Sequence, residues 1–137
     1  MTKYAERTNV SPSRSRDEIR DTLKRFGATD MRYYEDEERA TIGFVAEGIQ
    51  VAISLPMHGT AQEVASRWRT LGLAIKAKLS LIECGGSTFE HEFFSDIQLP
   101  SGRTVHEEFA GRALALSAGK APAIEAKIVE LPNRASS

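Results

Sequence analysis

The spacing of apolar residues changes along this chain, and that change most constrains how the chain can fold. From residue 31 to residue 55 apolar residues alternate with polar ones, which predicts half-buried strands. From Val64 to Ile82 they recur every three or four residues, which predicts a long amphipathic helix. The alternation comes in three runs, which short polar turns separate. The apolar residues are Met31 and Tyr33 in the first run, Ala40, Ile42 and Phe44 in the second, and Ile49, Val51, Ile53 and Leu55 in the third. The sequence therefore predicts an α+β fold in which a three-stranded antiparallel meander buries one face.

A further helix is predicted ahead of the first strand. Ser15 and Glu18 have the spacing of a capping box, in which each side chain accepts a hydrogen bond from the other residue's backbone N–H. An apolar stripe and a glycine suited to a left-handed C-cap follow, at Ile19, Leu23, Phe26 and Gly27. The same box pattern, at Thr60 and Glu63, opens the long helix.

Two shorter helices are expected after the long one. Capping-box patterns at 87–90 and 104–107 introduce them, and their apolar residues are Phe89, Phe93 and Ile97 in the first and Val105, Phe109, Ala113 and Leu116 in the second. We expect the long helix and these two helices to pack on one sheet face, with Trp68 central. The predicted organisation is an irregular N-terminal arm over 1–14, a single domain over 15–131 and a frayed tail over 132–137.

The composition limits the location and the class of the protein. Its 137 residues include 18 Lys and Arg against 19 Asp and Glu, and the formal net charge of -1 argues against a strongly basic nucleic-acid coat. The single cysteine, Cys84, cannot form an internal disulfide. No apolar run approaches the roughly 20 residues that span a bilayer, and the N-terminus lacks the apolar segment of a signal peptide. We therefore expect a cytoplasmic protein without a membrane partner.

The strongest candidate surface is a basic stretch of the long helix. It carries Arg67, Arg69, Lys76 and Lys78 against Glu63 and Glu83, which suits contacts with phosphates. The alternative is a solvated helix face whose long side chains cover the apolar edge. On the first strand, an outward-facing Tyr34 beside Arg32 would form a minimal platform for a nucleobase.

Signals for catalysis and for metal binding are weaker. Glu92 and Asp96 are four residues apart, so on one helix they could hold a hydrated divalent cation. His58, His91 and His106, with Cys84, do not have the spacings of structural zinc sites. No catalytic residue, metal ligand or cofactor is therefore assigned.

Several stretches resemble a known family. They are Tyr4-Ala5-Glu6-Arg7-Thr8-Asn9-Val10 with Ser13-Arg14-Ser15, then Arg25-Phe26-Gly27-Ala28-Thr29, then 67–71 with 75–79, and finally 88–93, Leu99-Pro100 and 102–105. In these the chain resembles a family of small uncharacterised phage and prophage proteins that begin Tyr-Ala-Glu-x-Thr-x-Val. Many of its members carry a longer charged insertion where this chain has only Met57-His58-Gly59. The resemblance implies a phage-encoded protein made in the host cytoplasm, and it brings no catalytic residues.

Three functions remain open at this point. The first, which we favour, is a non-enzymatic accessory protein that binds nucleic acid through the basic helix face. The second is a host-directed interaction protein that binds a host protein as an inhibitor, or serves as a sponge for a signalling nucleotide. The third is a small metal-dependent hydrolase that uses the acidic pair Glu92 and Asp96.

Overall fold

The computed structural model describes residues 10–118 of the chain. It has the mixed α+β architecture that the periodicity predicts: an N-terminal helix, a three-stranded antiparallel sheet, a long helix and shorter helices. In chain order the elements are α1 (Pro12–Phe26), β1 (Thr29–Glu35), β2 (Arg39–Ala46), β3 (Ile49–Pro56), α2 (Ala61–Glu83), α3 (Phe89–Glu92), a 3-10 turn (Phe94–Asp96), α4 (Val105–Phe109) and α5 (Ala113–Ser117).

Helix α1 begins one turn earlier than the capping box at Ser15 predicts. Its N-cap is Ser11, whose side chain accepts a hydrogen bond from the backbone N–H of Arg14, and Pro12 follows at the first helical position. Proline suits that position because its fixed φ fits a helix and the N–H it lacks would have no partner there. Ser15 is instead a buried residue of the helix. The C-cap prediction is confirmed, since Gly27 adopts φ 111°.

The three strands form the predicted meander, in the order β1-β2-β3. The β2–β3 register pairs Gly43 with Ala52 and Phe44 with Val51 without interruption. The β1–β2 register shifts once, between Thr29 and Arg32. The outer side of β3 meets a short bridge, in which Ile97 pairs with Val51.

One face of the sheet contributes to the main core. Helices α1 and α2 lie against each other, and an added Cβ at Gly72 would lie 3.5 Å from Ile19. Trp68 is 1% exposed, which confirms its predicted place in the core. The buried cluster joins inward residues of every layer, among them Ile19, Leu23, Ile42, Phe44, Val51, Ile53, Trp68, Ile75, Leu79, Phe89 and Phe93.

The capping box of α2 is present as predicted, because Thr60 and Glu63 exchange both hydrogen bonds. The predicted helix over Phe89–Ile97 is shorter than expected. It ends at Glu92, and the chain turns so that Ile97 can pair with β3. Its N-cap is Thr88 rather than Ser87.

The predicted second short helix is divided in two, at a residue that favours a break. Gly111 adopts φ 80°, a left-handed conformation that interrupts a helix, and α4 and α5 lie on either side of it. The described residues divide into two units, 10–105 and 106–118. In the second unit the guanidinium of Arg112 lies 5.9 Å from the ring centroid of Phe109. The predicted domain limit at 131 and the tail at 132–137 lie outside the described residues.

Candidate nucleic-acid interface

Arg67, the first residue of the predicted basic face, holds a loop of its own chain. Its Nη1 donates hydrogen bonds to the backbone carbonyls of Pro56, at 3.0 Å, and His58, at 2.6 Å. Pro56 ends β3, and His58 lies in the connection from β3 to α2. The guanidinium therefore ties the end of the sheet to the start of the long helix.

Lys78 is also engaged within the chain. Its Nζ donates to the backbone carbonyl of Glu92 at 2.6 Å and lies 5.5 Å from the ring centroid of Phe93. The side chain is half-buried. Lys78 thus satisfies a carbonyl at the end of α3, where helices leave carbonyls without a helical partner.

Arg69 and Lys76 lie together on the side of α2 that meets α1. Arg69 forms an ion pair with Glu18 at 3.7 Å, whereas the side chain of Lys76 is exposed. Both line a cavity of about 10 Å³ next to Ser15 and Trp68. The four basic residues of the helix therefore do not form one continuous surface for phosphates, since Arg67 and Lys78 bind the chain itself.

Arg32 and Tyr34, the two predicted strand residues, do lie together. Their cross-strand partners are Gly43 and Thr41, and the next strand places Ala52 and Ser54 opposite those two. The hydroxyls of Thr41 and Ser54 are 2.8 Å apart. These residues occupy the sheet face opposite the core positions Ile42 and Phe44, and 62% of Tyr34 is exposed.

A groove of about 390 Å³ runs over this face, and its lining joins all three strands. Small residues form its floor, because Gly43 and Ala52 occupy neighbouring outward positions of β2 and β3. Arg32 lies across Gly43, where an added Cβ would be 3.6 Å from its Nε and Nη2 atoms. The complete lining is Arg32, Tyr33, Tyr34, Thr41, Gly43, Ala52 and Gln98.

Tyr33 points to the opposite side of the sheet from Tyr34, as alternation requires. Its ring lies 6.1 Å from that of Trp68, and the guanidinium of Arg16 lies 4.5 Å from its centroid. Burial, helped by a hydrogen bond from its hydroxyl to Glu35, raises the pKa of Tyr33 to about 12. Tyr33 is therefore a neutral, fixed residue, and Tyr34 is the aromatic ring available on the groove.

The acidic pair proposed for a metal is not on one helix. Glu92 ends α3, and Asp96 lies in the 3-10 turn. Hydrogen bonds from Ser87, at 2.6 Å, and from His91 hold the pKa of Glu92 below its ordinary value. Within residues 10–118, no group of three or more His, Cys, Asp or Glu side chains is arranged to hold a metal ion.

The groove is completed by residues that the sequence did not single out as site residues, namely Gly43, Ala52, Thr41 and Gln98. A signal for the first two was present, since small residues at outward positions of adjacent strands leave space above a sheet. Gln98 could not be found in this way. Its place depends on the bridge between Ile97 and Val51, and on the hydrogen bond from its backbone N–H to the carbonyl of Gln50 at 2.9 Å.

No family model matches the chain, and no curated protein or solved structure matches it either. The similarity to phage and prophage proteins therefore stays a prediction. The part of the chain that the structure describes contains no helix with the length and apolar character needed to cross a membrane.

Proposed function

We propose that this chain is a non-enzymatic accessory protein that binds single-stranded nucleic acid on the outward face of its sheet. The observation that carries the proposal is the placement of Arg32 and Tyr34 side by side on a groove floored by Gly43 and Ala52. The proposed interface is therefore the sheet face and not the basic helix face that the sequence favoured.

The residue types fit this ligand. An exposed tyrosine ring offers a surface on which a base can stack, worth roughly 1–3 kcal/mol per base. Arg32 supplies a cation for a neighbouring phosphate, and it forms no ion pair with a described residue. A single strand is favoured over a duplex because only an unpaired base can place its flat face on the ring of Tyr34.

The charge of the chain sets the expected strength of binding. With a net charge of -1 the protein attracts a polyanion only through local groups. A single strand contributes a log-log salt slope of roughly -0.7 for each phosphate contact. One contact at Arg32 therefore predicts a shallow slope, whereas four contacts along the helix would give a slope of about -2.8. We also propose, from the resemblance of the sequence alone, that the protein acts in the cytoplasm of an infected cell.

The test is a titration of a short, labelled oligothymidylate, followed by fluorescence anisotropy at several salt concentrations. Tyr34→Ala should weaken binding roughly 5- to 150-fold, the equivalent of one lost stacking contact. Tyr34→Phe keeps the ring and should bind like the wild type. Arg32→Gln should flatten the salt slope by about 0.7. Lys76→Gln, on the helix, is the matched control and should bind like the wild type.

Two results would contradict the proposal. One is binding that Tyr34→Ala leaves unchanged, and the other is the absence of salt-sensitive binding to any single strand at micromolar protein. The second result would favour the host-directed function, an inhibitor of a host protein. The metal-dependent hydrolase receives no support from the arrangement of Glu92 and Asp96.

A further inference from the structure

A second cleft lies between α1 and β1. It has a volume of about 290 Å³, close to the lower limit for small-molecule sites. Its apolar lining comes from Ile19, Met31 and Ile42. Its charged lining comes from Arg16, Arg20, Arg32 and Asp17.

Arg16 is the most informative residue of this cleft. Its side chain is half-buried, and its guanidinium lies 4.5 Å from the ring centroid of Tyr33 and 5.6 Å from that of Trp68. The two ring contacts hold the guanidinium in place by cation–π attraction and use none of its N–H donors, which stay available for a ligand. Within residues 10–118, no carboxylate forms an ion pair with Arg16 and no acceptor takes a hydrogen bond from it.

Arg20 reinforces the positive charge of the cleft. It lies four residues after Arg16 and therefore on the same face of α1. Ion pairs with Asp17, at 3.4 Å, and Asp21, at 3.5 Å, hold it in place. The three arginines of the lining outnumber Asp17 and Asp21 together, so the net charge around the cleft stays positive.

We propose that this cleft binds a phosphate monoester, with Arg16 as its principal ligand. A monoester carries a charge of about -1.5 to -2 at neutral pH and three acceptor oxygens, which match this charge and the donors of a guanidinium. A nucleobase or another flat group attached to the phosphate can lie on the apolar lining. The cleft shares Arg32 and Tyr33 with the groove of Tyr34, whereas Arg16 and Arg20 line only the cleft. The phosphate proposal does not depend on the function proposed above.

The test is isothermal titration calorimetry at low salt, with inorganic phosphate, adenosine 5′-monophosphate and adenosine as probes. The two phosphates should bind saturably and adenosine should not. Arg16→Gln should lower the affinity for both phosphates about tenfold or more, the effect of losing charge-assisted hydrogen bonds. Arg25→Gln, an exposed arginine of the same helix, is the matched control and should bind like the wild type. If Arg16→Gln does not fold, Arg20→Gln and Arg16→Lys replace it, and each should weaken binding.

The source of the phosphate is settled by one further comparison. In the Tyr34→Ala variant, a 5′-phosphorylated oligothymidylate that binds more tightly than both the mononucleotide and the same strand without its phosphate would identify the end of a strand as the ligand. Tighter binding of the mononucleotide would identify a free nucleotide. Tyr34→Ala should leave phosphate binding unchanged, which separates this site from the sheet face. The proposal is overturned if neither phosphate binds saturably at millimolar concentration, or if Arg16→Gln and Arg25→Gln have equal effects.

Discussion

Replacing Lys78 with methionine tests whether this lysine stabilises the fold or is instead free to bind phosphate. The Nζ of Lys78 donates to the carbonyl of Glu92 at 2.6 Å. A hydrogen bond from a charged donor contributes about 1.5–3 kcal/mol. Lys78 is only half-buried, so water can reach the carbonyl once the lysine is gone, and the lower part of that range applies. Methionine keeps the packing on Phe93, so only the charge and the hydrogen bond are lost.

We therefore expect Lys78→Met to lower the free energy of unfolding by about 1.5–2 kcal/mol. The assay is urea denaturation followed by the fluorescence of Trp68, the single tryptophan. For m values of roughly 1–3 kcal/mol/M, the midpoint should fall by about 0.5–2 M. Lys76→Met, on the same helix but exposed, is the control and should change stability by less than about 0.5 kcal/mol. Equal effects of the two substitutions would refute the structural role of Lys78.

Three further predictions concern Trp68 and Ser15, which are buried, and Tyr33, which is 43% exposed. Trp68→Ala should cost about 3–5 kcal/mol in thermal or urea melts followed by circular dichroism, because Trp68 is 1% exposed; a cost under about 1 kcal/mol would contradict its place in the core. Ser15→Ala should raise the free energy of unfolding by about 1 kcal/mol, because the Ser15 hydroxyl is buried without a hydrogen-bond partner among the described residues. A loss of stability would mean that this hydroxyl is bonded in the folded protein. Because the pKa of Tyr33 is raised from 10.0 to about 12, its neutral form stabilises the fold fully below pH 10, and that contribution should disappear as the pH rises towards 12. The tyrosinate absorbance of the wild type minus that of Tyr33→Phe should place the transition near pH 12, and a midpoint near 10 would contradict the assignment.

The sequence predicted the elements whose signals are local. Alternation located all three strands, and both hydrogen bonds of the box at Thr60 and Glu63 are present. The start of α1 was predicted wrongly because two caps competed within one turn, and the proline after Ser11 favoured the earlier one. The end of α3 was missed because it depends on pairing with β3, which no local pattern encodes.

The candidate site was harder to predict, since its geometry depends on contacts distant in sequence. Arg67 and Lys78 resemble phosphate ligands on a helical projection. In the structure, Arg67 donates to carbonyls 9 and 11 residues away, and Lys78 donates to a carbonyl 14 residues away. The platform of Arg32 and Tyr34 was predicted from alternation alone, and the groove brings both residues together. The cleft around Arg16 had a signal in the four-residue spacing of Arg16 and Arg20. The contacts of the Arg16 guanidinium with the rings of Tyr33 and Trp68 could be identified only from the folded structure.

The most direct test of the sheet-face proposal is a map of the residues that sense a bound strand. Backbone amide shifts of the isotope-labelled protein, recorded by nuclear magnetic resonance during titration with a short oligothymidylate, supply that map. The proposal predicts that the largest changes cluster at Tyr34, Gly43 and Ala52. Changes that cluster instead at Arg69 and Lys76, with the sheet face unaffected, would contradict it and return the interface to the helix.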